Sequence, residues 1–246
     1  MTTETKFPTE TIELPSKGKL YAKDSALASG TVEMRYMTAA DEDLLTNPSY
    51  IEKGVVIDKL LQSLIVDKSI NYSDLLIGDK NALVVAARIL GYGKMYPIEY
   101  AGREVIVDLT EIEDKPLHEV VEKATENKFK YTLPVSGTVV TFKLLTHGDE
   151  QLIEQEMKGM RKLGKEVLPE LTTRMKYMIL AVDDNEDRKV CRDFADNMLA
   201  RDAREFRKYV AEIQPDIDMR FYPVDGPANG VNIPINIQFF YPDFEA

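Results

Sequence analysis

The chain has 246 residues, 44% of them apolar, enough to build one large domain or two small ones around a proper core. Its formal charge of −11 argues against DNA, RNA or an acidic membrane face as a general partner, because like charges repel over about 8 Å, the physiological screening length. The single cysteine, Cys191, excludes an internal disulfide, and MTTETKFPTE lacks the basic and apolar segments of a signal peptide, so a reducing cytoplasm is expected.

Extended structure opens the chain. TIELPSKGKLYA places a turn at Pro15 and Gly18, and TVEMRYM alternates Val32, Met34 and Tyr36 with Glu33 and Arg35, the period of a half-buried strand. The period then changes: Val56, Leu60, Leu61, Leu64 and Ile65 recur at helical spacing, which predicts one helix over 52–66. A second helix is expected to start near Gly78 and Asp79, with Asp79 as its cap, and to close at Gly91 and Gly93. Within it, Leu83 to Leu90 is interrupted by Arg88 and is far shorter than the ~20 residues of a membrane span. PIEYAGREVIVDLTEI folds back on itself at Ala101 and Gly102, and KFKYTLPVSGTVVTFKLLT repeats that form with a turn at Pro134, Ser136 and Gly137. Between them KPLHEVVEKATENK is a charged connection with room for one short helix.

From His147 to Gln214 the pattern is helical almost throughout, and Pro215 stops it. MRFYPVDGPANGVNIPINIQF, Met219 to Phe239, then reads as two short strands around a turn of the kind a zinc knuckle uses, yet it holds no cysteine or histidine. Val231, Ile233, Ile235, Ile237 and Phe239 fall on one face, and Pro234 confines the strand to an edge. Strands and helices mix without β-α-β alternation, so the fold class is α+β: N-terminal strands and hairpins with two helices, then a C-terminal helical bundle ending in a β-hairpin without metal. The expected division is a mixed domain over 1–146 and a helical region with terminal hairpin and aromatic tail over 147–246. Neither an internal repeat nor a low-complexity linker marks the join.

The acidic trio Asp41, Glu42 and Asp43 suggests a metal or acid–base cluster, and with His147 it supplies a rival reading, a metal-dependent hydrolase. Consecutive helical residues point about 100° apart, so three in a row do not converge on one ion, and Thr38 with Asp41 has capping-box spacing instead. Asp183, Asn185 and Asp187 imitate a calcium loop, but Arg188 and Phe194 replace its glycine and its bidentate glutamate, leaving a polar turn. Gly91 and Gly93 lack phosphate-cradle spacing, His118 and His147 stand apart from any nucleophile motif, and Cys191 fits a small packing residue. The expectation is a non-enzyme without cofactor or metal.

Two surfaces remain. ARDAREFRKYVAEIQP sets Arg204 and Arg207 among other charges around Phe206, Tyr209, Val210 and Ile213, an amphipathic helix whose charged face is either solvated or partner-facing. Phe239, Phe240, Tyr241 and Phe244 crowd four aromatics near the end of the chain, to pack on their own domain or anchor in another protein.

Read together, ELPSKGKLY, GTVEMRYMTAADEDLLTNP, LIGDKNALVVAARILGYGKMY, YTLPVSG, MLARDAREFRKYVAEIQPDID and FFYP resemble the baseplate hub assembly proteins of T-even-type contractile-tailed bacteriophages, from Glu13 to Pro242. Members of that family often carry a C-x-x-C pair in the last hairpin; Tyr222 and Asp225 stand in those places here, so zinc is not expected. The resemblance implies a non-enzymatic protein that binds hub or wedge components in the host cytoplasm during assembly, or stays among them in the virion baseplate. It leaves room for a homo-oligomer and predicts neither nucleic acid nor membrane as partner. Partner contacts are expected at Phe239, Phe240, Tyr241, Phe244, Arg204 and Arg207. A generic regulatory binding module is the remaining alternative.

Overall fold

The structure, a computed structural model, describes residues 7–164, 167–223, 227, 230–235 and 239–240. β1 (Thr9–Glu13) and β2 (Thr31–Arg35) pair antiparallel with Ile12 opposite Val32, and Val32 and Met34 point into the core. α1 (Ala39–Leu45), α2 (Pro48–Lys53) and α3 (Val56–Leu64) follow. The single helix expected over 52–66 is thus two helices. Gly54 ends α2 at φ 70°, a left-handed conformation that suits glycine, and the chain restarts at Val56. α4 (Ile77–Tyr92) closes at Gly93. Its start differs from the expectation: Asp79 is the third helical residue, fully buried, and it accepts hydrogen bonds from Ser16 and Tyr21 rather than capping. β3 (Met95–Tyr100) and β4 (Arg103–Asp108) form the expected hairpin, with positive φ at both Ala101 and Gly102, as the favoured two-residue turn demands.

After the short α5 (Glu119–Glu122), β5 (Phe129–Thr132) and β6 (Val139–Phe142) make the second expected hairpin. α6 (His147–Lys162) and α7 (Glu170–Met178) come next. Then the C-terminal expectation needs correction: Ile179–Val182 is a strand, β7, paired with β6 on the side away from β5. An unbroken Ile-Leu-Ala-Val run suits a buried helix or a buried strand equally, and only the sheet partner decides. The region from His147 is therefore helices interrupted by one strand, which adds to the β5–β6 hairpin to make a three-stranded sheet. α8 (Arg188–Asn197) and α9 (Ala200–Ile213) lead to a last hairpin of two-residue strands, β8 (Arg220–Phe221) and β9 (Val231–Asn232). Ile233 is buried but Ile235 is exposed, so the expected alternation stops at Pro234, and Ile237 lies outside the described residues. The architecture is α+β, small antiparallel sheets set among helices.

One structural unit occurs twice. β1 runs into Leu14-Pro15-Ser16-Lys17-Gly18 and β5 into Leu133-Pro134-Val135-Ser136-Gly137, each with a buried leucine and a left-handed glycine. Each returning strand ends in the same capped helix start. Arg35 donates two bonds to Asp41, at 2.7 and 2.8 Å, and Lys143 does so to Asp149, at 2.7 and 2.8 Å. Thr38 and Thr146 are the caps whose backbone N–H groups those aspartates accept. A third edge follows, a bridge of Ile65 to Met34 in one repeat and all of β7 in the other. Leu76-Ile77-Gly78-Asp79 then opens α4, as Leu199-Ala200-Arg201-Asp202 opens α9, and a hairpin follows each.

The repeats share one apolar core. Phe239 packs edge-on against Tyr96, Asp114 bridges Ile217, and Leu76 bridges Thr146. Pro215 and Asp216 cross the start of α4 so closely that a Cβ on Gly78 would lie 1.9 Å from the Pro215 carbonyl oxygen. Any side chain larger than hydrogen forces that backbone to move.

Candidate partner-binding site

The element that departs most from the repeat is α6, which runs 16 residues where its counterpart α1 runs 7. Its start is well determined. Thr146 and Asp149 cap each other, acidic Asp149 and Glu150 occupy the first turn, and basic Arg161 and Lys162 the last, all in accord with the helix dipole. Burial ends early: His147, Asp149 and Ile153 are its buried residues, all within the first two turns. Past Ile153 no residue of α6 is fully buried, although Glu156 still accepts from Tyr177 and Arg192. Leu152, Gly159 and Leu163 share one side of the helix by their spacing of seven and four, and a Cβ added at Gly159 would meet nothing within 4 Å. Leu163 is 82% exposed, Val167 85% and Leu171 56%, next to exposed Arg161 and Lys162. Scattered apolar side chains on a surface are ordinary; large ones this close along the chain, with more than half of their area in water, point to a contact surface.

Below this tip lies a cleft of about 520 Å³ where the repeats meet, lined by Val55, Asp58, Ile77, Lys80, His147, Glu150, Met157 and Arg174 among others. Its floor is a buried polar group. Asp58 Oδ1 accepts from Lys80 Nζ at 2.6 Å and from the Tyr72 hydroxyl at 3.0 Å. Lys80 also lies 3.2 Å from His147 Nδ1; the ammonium can only donate, so Nδ1 accepts and the ring proton sits on Nε2. Nε2 stands 3.3 Å from Asp58 Oδ2, in a direction that makes no hydrogen bond. Burial and the Lys80 charge hold the imidazole below its ordinary pKa, with Asp58 opposing them. The His147 backbone N–H donates to the Leu75 carbonyl at 2.7 Å, which ties the start of α6 to the first repeat. On the wall, Arg174 joins both Glu150 and Glu170.

The residues singled out from sequence fall in several places. Phe239 and Phe240 require correction as partner contacts: both are fully buried in the chain's own core, where each ring has apolar neighbours that water cannot match. Tyr241, Phe244 and Asp225 lie outside the described residues. Arg204 is exposed and Arg207 half-buried on α9, neither ion-paired among the described residues. Asp41 is held by Arg35, Thr38 and Ser63, Glu42 accepts from Tyr92, and Asp43 is exposed. Burial alone would raise the Asp41 carboxyl, but those donors hold it well below the usual carboxylate range. His147 bonds instead within the Asp58–Lys80 group, so the trio and the histidine do not come together. Tyr222 donates to Asp218. Among the described residues no cluster of histidine, cysteine, aspartate and glutamate is arranged to hold a metal ion, and no helix is long and apolar enough to cross a membrane.

Sequence reasoning passed over the α6 tip. The available signal was MRKLGKEVLPEL, where leucines and valine alternate with lysine and arginine around a glycine, a composition that reads as a polar turn until its neighbours are known. Compared with family models, with curated proteins and with solved structures, the chain finds no match in any of the three.

Proposed function

We infer that the chain works by binding other proteins, as an assembly factor for the hub of a contractile-tail baseplate or as a part of that hub. The observation that carries the protein-binding reading is the end of α6, longer than its counterpart α1, with the exposed apolar side chains of Leu163 at that end, Val167 in the connection that follows and Leu171 at the start of α7. Leaving such side chains exposed forgoes burial worth about 1.5–3 kcal/mol each, which a partner would recover. The narrower baseplate assignment is supported by the sequence resemblance from Glu13 to Pro242. In this reading hub or wedge proteins are the partners, and the protein acts in the host cytoplasm during assembly and in the virion baseplate if it is retained there. Mass spectrometry of purified phage particles and of their assembly intermediates tests it. Finding the chain with hub proteins in either is the expected result; finding it in neither removes the baseplate assignment.

One observation favours a second reading, acid–base chemistry in the cleft. His147 Nε2–H is buried without a hydrogen bond beside Asp58, a donor that could give its proton to a substrate atom. Against it, Lys80 already neutralises Asp58 and occupies the other ring nitrogen. Replacing His147 separates the readings: loss of a hydrolytic turnover would favour chemistry, whereas unchanged partner capture with reduced stability favours a structural tie.

A further inference from the structure

We propose that the α6 tip of one molecule docks on the β3–β4 hairpin of a second copy of this chain. The proposal rests on the protein-binding reading above and names a partner for the tip.

The tip is a local cation on an acidic protein. Arg161 and Lys162 are exposed and unpaired among the described residues, whereas Lys158 one turn earlier is joined to Glu154. A matching surface must therefore be acidic as well as apolar. The hairpin supplies one. Its register places Met95 opposite Asp108, Pro97 opposite Ile106, and Glu99 opposite Glu104 on one face, while Tyr96, Ile98 and Val107 on the other are buried in the core. On the outward face Met95 is 52% and Ile106 62% exposed.

Glu99 and Glu104 are the independent observation. They are directly opposed across the strands, both exposed, and neither is ion-paired among the described residues. Like charges in that position destabilise a hairpin. A cation arriving between them relieves the repulsion, and Met95 and Ile106 beside them match the aliphatic side chains beside Arg161 and Lys162. The tip belongs to the second repeat and the hairpin to the first, so the contact is between unlike patches. Such head-to-tail contacts close into a ring when the rotation permits and otherwise run on as a filament.

Sedimentation of the purified full-length chain, at concentrations up to about 1 mM, tests the proposal. The expected result is a mass that grows with concentration and falls with added salt, which screens the charges. R161E/K162E should weaken association ~10-fold or more, because like charges now meet, and E99K/E104K should do the same. The chain carrying all four changes should regain the original association. All four side chains are exposed, and overlaying unfolding curves will show that each variant folds. A chain that stays monomeric throughout, or a fourfold variant that does not regain association, overturns the proposal. So does an acidic peptide or an anionic vesicle that engages the tip while the chain remains monomeric. Presence in phage particles is a separate measurement, so the baseplate reading and this contact fail independently.

Discussion

Asp202 stands in the second repeat where Asp79 stands in the first: each is the third residue of its helix, fully buried, with its carboxylate on the turn that follows a Leu-Pro pair. Asp79 accepts from the Ser16 amide at 2.9 Å, the Ser16 hydroxyl at 2.6 Å and the Tyr21 hydroxyl at 2.5 Å. Asp202 accepts from the amides of Val135 at 2.8 Å and Ser136 at 3.0 Å. The two aspartates thus do the same work, pinning a helix start to the turn of its own repeat. Asp79→Ala strands buried donors and should cost about 2–4 kcal/mol in chemical denaturation, whereas the amides that Asp202 accepts belong to exposed Val135 and Ser136, so Asp202→Ala should cost less, about 1–2 kcal/mol. A loss below about 0.5 kcal/mol at both positions would show that the turns hold without them.

Stability should fall on mild acidification through His147. Its folded pKa lies below the ordinary value of 6.5 because of burial and Lys80, with Asp58 opposing. The unfolded chain therefore takes up the proton first as pH drops. The stabilisation tied to the neutral ring is present in full above that ordinary value and is lost as pH falls from it through the lower folded pKa. Denaturation midpoints across roughly pH 5–8 should decline toward acid for the natural chain, and His147→Gln should flatten that slope. An unchanged slope in the variant would assign it to other groups.

Phe239→Ala should destabilise the whole protein, by about 3–5 kcal/mol, because the ring is fully enclosed and packs on Tyr96 at 5.0 Å between centroids. Thermal unfolding measures this. A single transition moved to lower temperature is expected, since the ring belongs to the core shared by both repeats. If the transition is unmoved, the end of the chain is an appendage.

Gly78→Ala tests how tightly the repeats are locked. The added methyl would meet the Pro215 backbone rather than a movable side chain, so α4 or the 215–216 crossing must shift. The expected loss is about 1–3 kcal/mol. The same change at Gly159, where a Cβ meets nothing, should leave stability unchanged or raise it by about 0.5–1 kcal/mol through helix propensity.

Much of the local structure is written in short spacings. Asn47 before Pro48, Thr146 before Asp149, and Ala101-Gly102 between alternating runs each determine a cap or a turn through neighbours within four residues. Such features need no tertiary partner, so residue order alone declares them. The same holds for Gly93 closing α4 and for the α+β mixture itself.

What depends on distant neighbours was decided only in three dimensions. Ile179–Val182 is a strand because β6 lies beside it, and Phe239 is core because Tyr96, far back in the chain, offers a pocket. The duplication was hidden for a related reason. Its matching residues are few: Arg35, Thr38 and Asp41 keep the spacing of Lys143, Thr146 and Asp149, but Asp79 with Asp202 does not, since elements and loops of different length precede them. Hydrogen-bond geometry constrains those positions and leaves the loops between them free. The α6 tip follows from the same physics: an apolar residue in a sequence becomes a contact surface only when the fold declines to cover it, and covering is a property of the packed molecule.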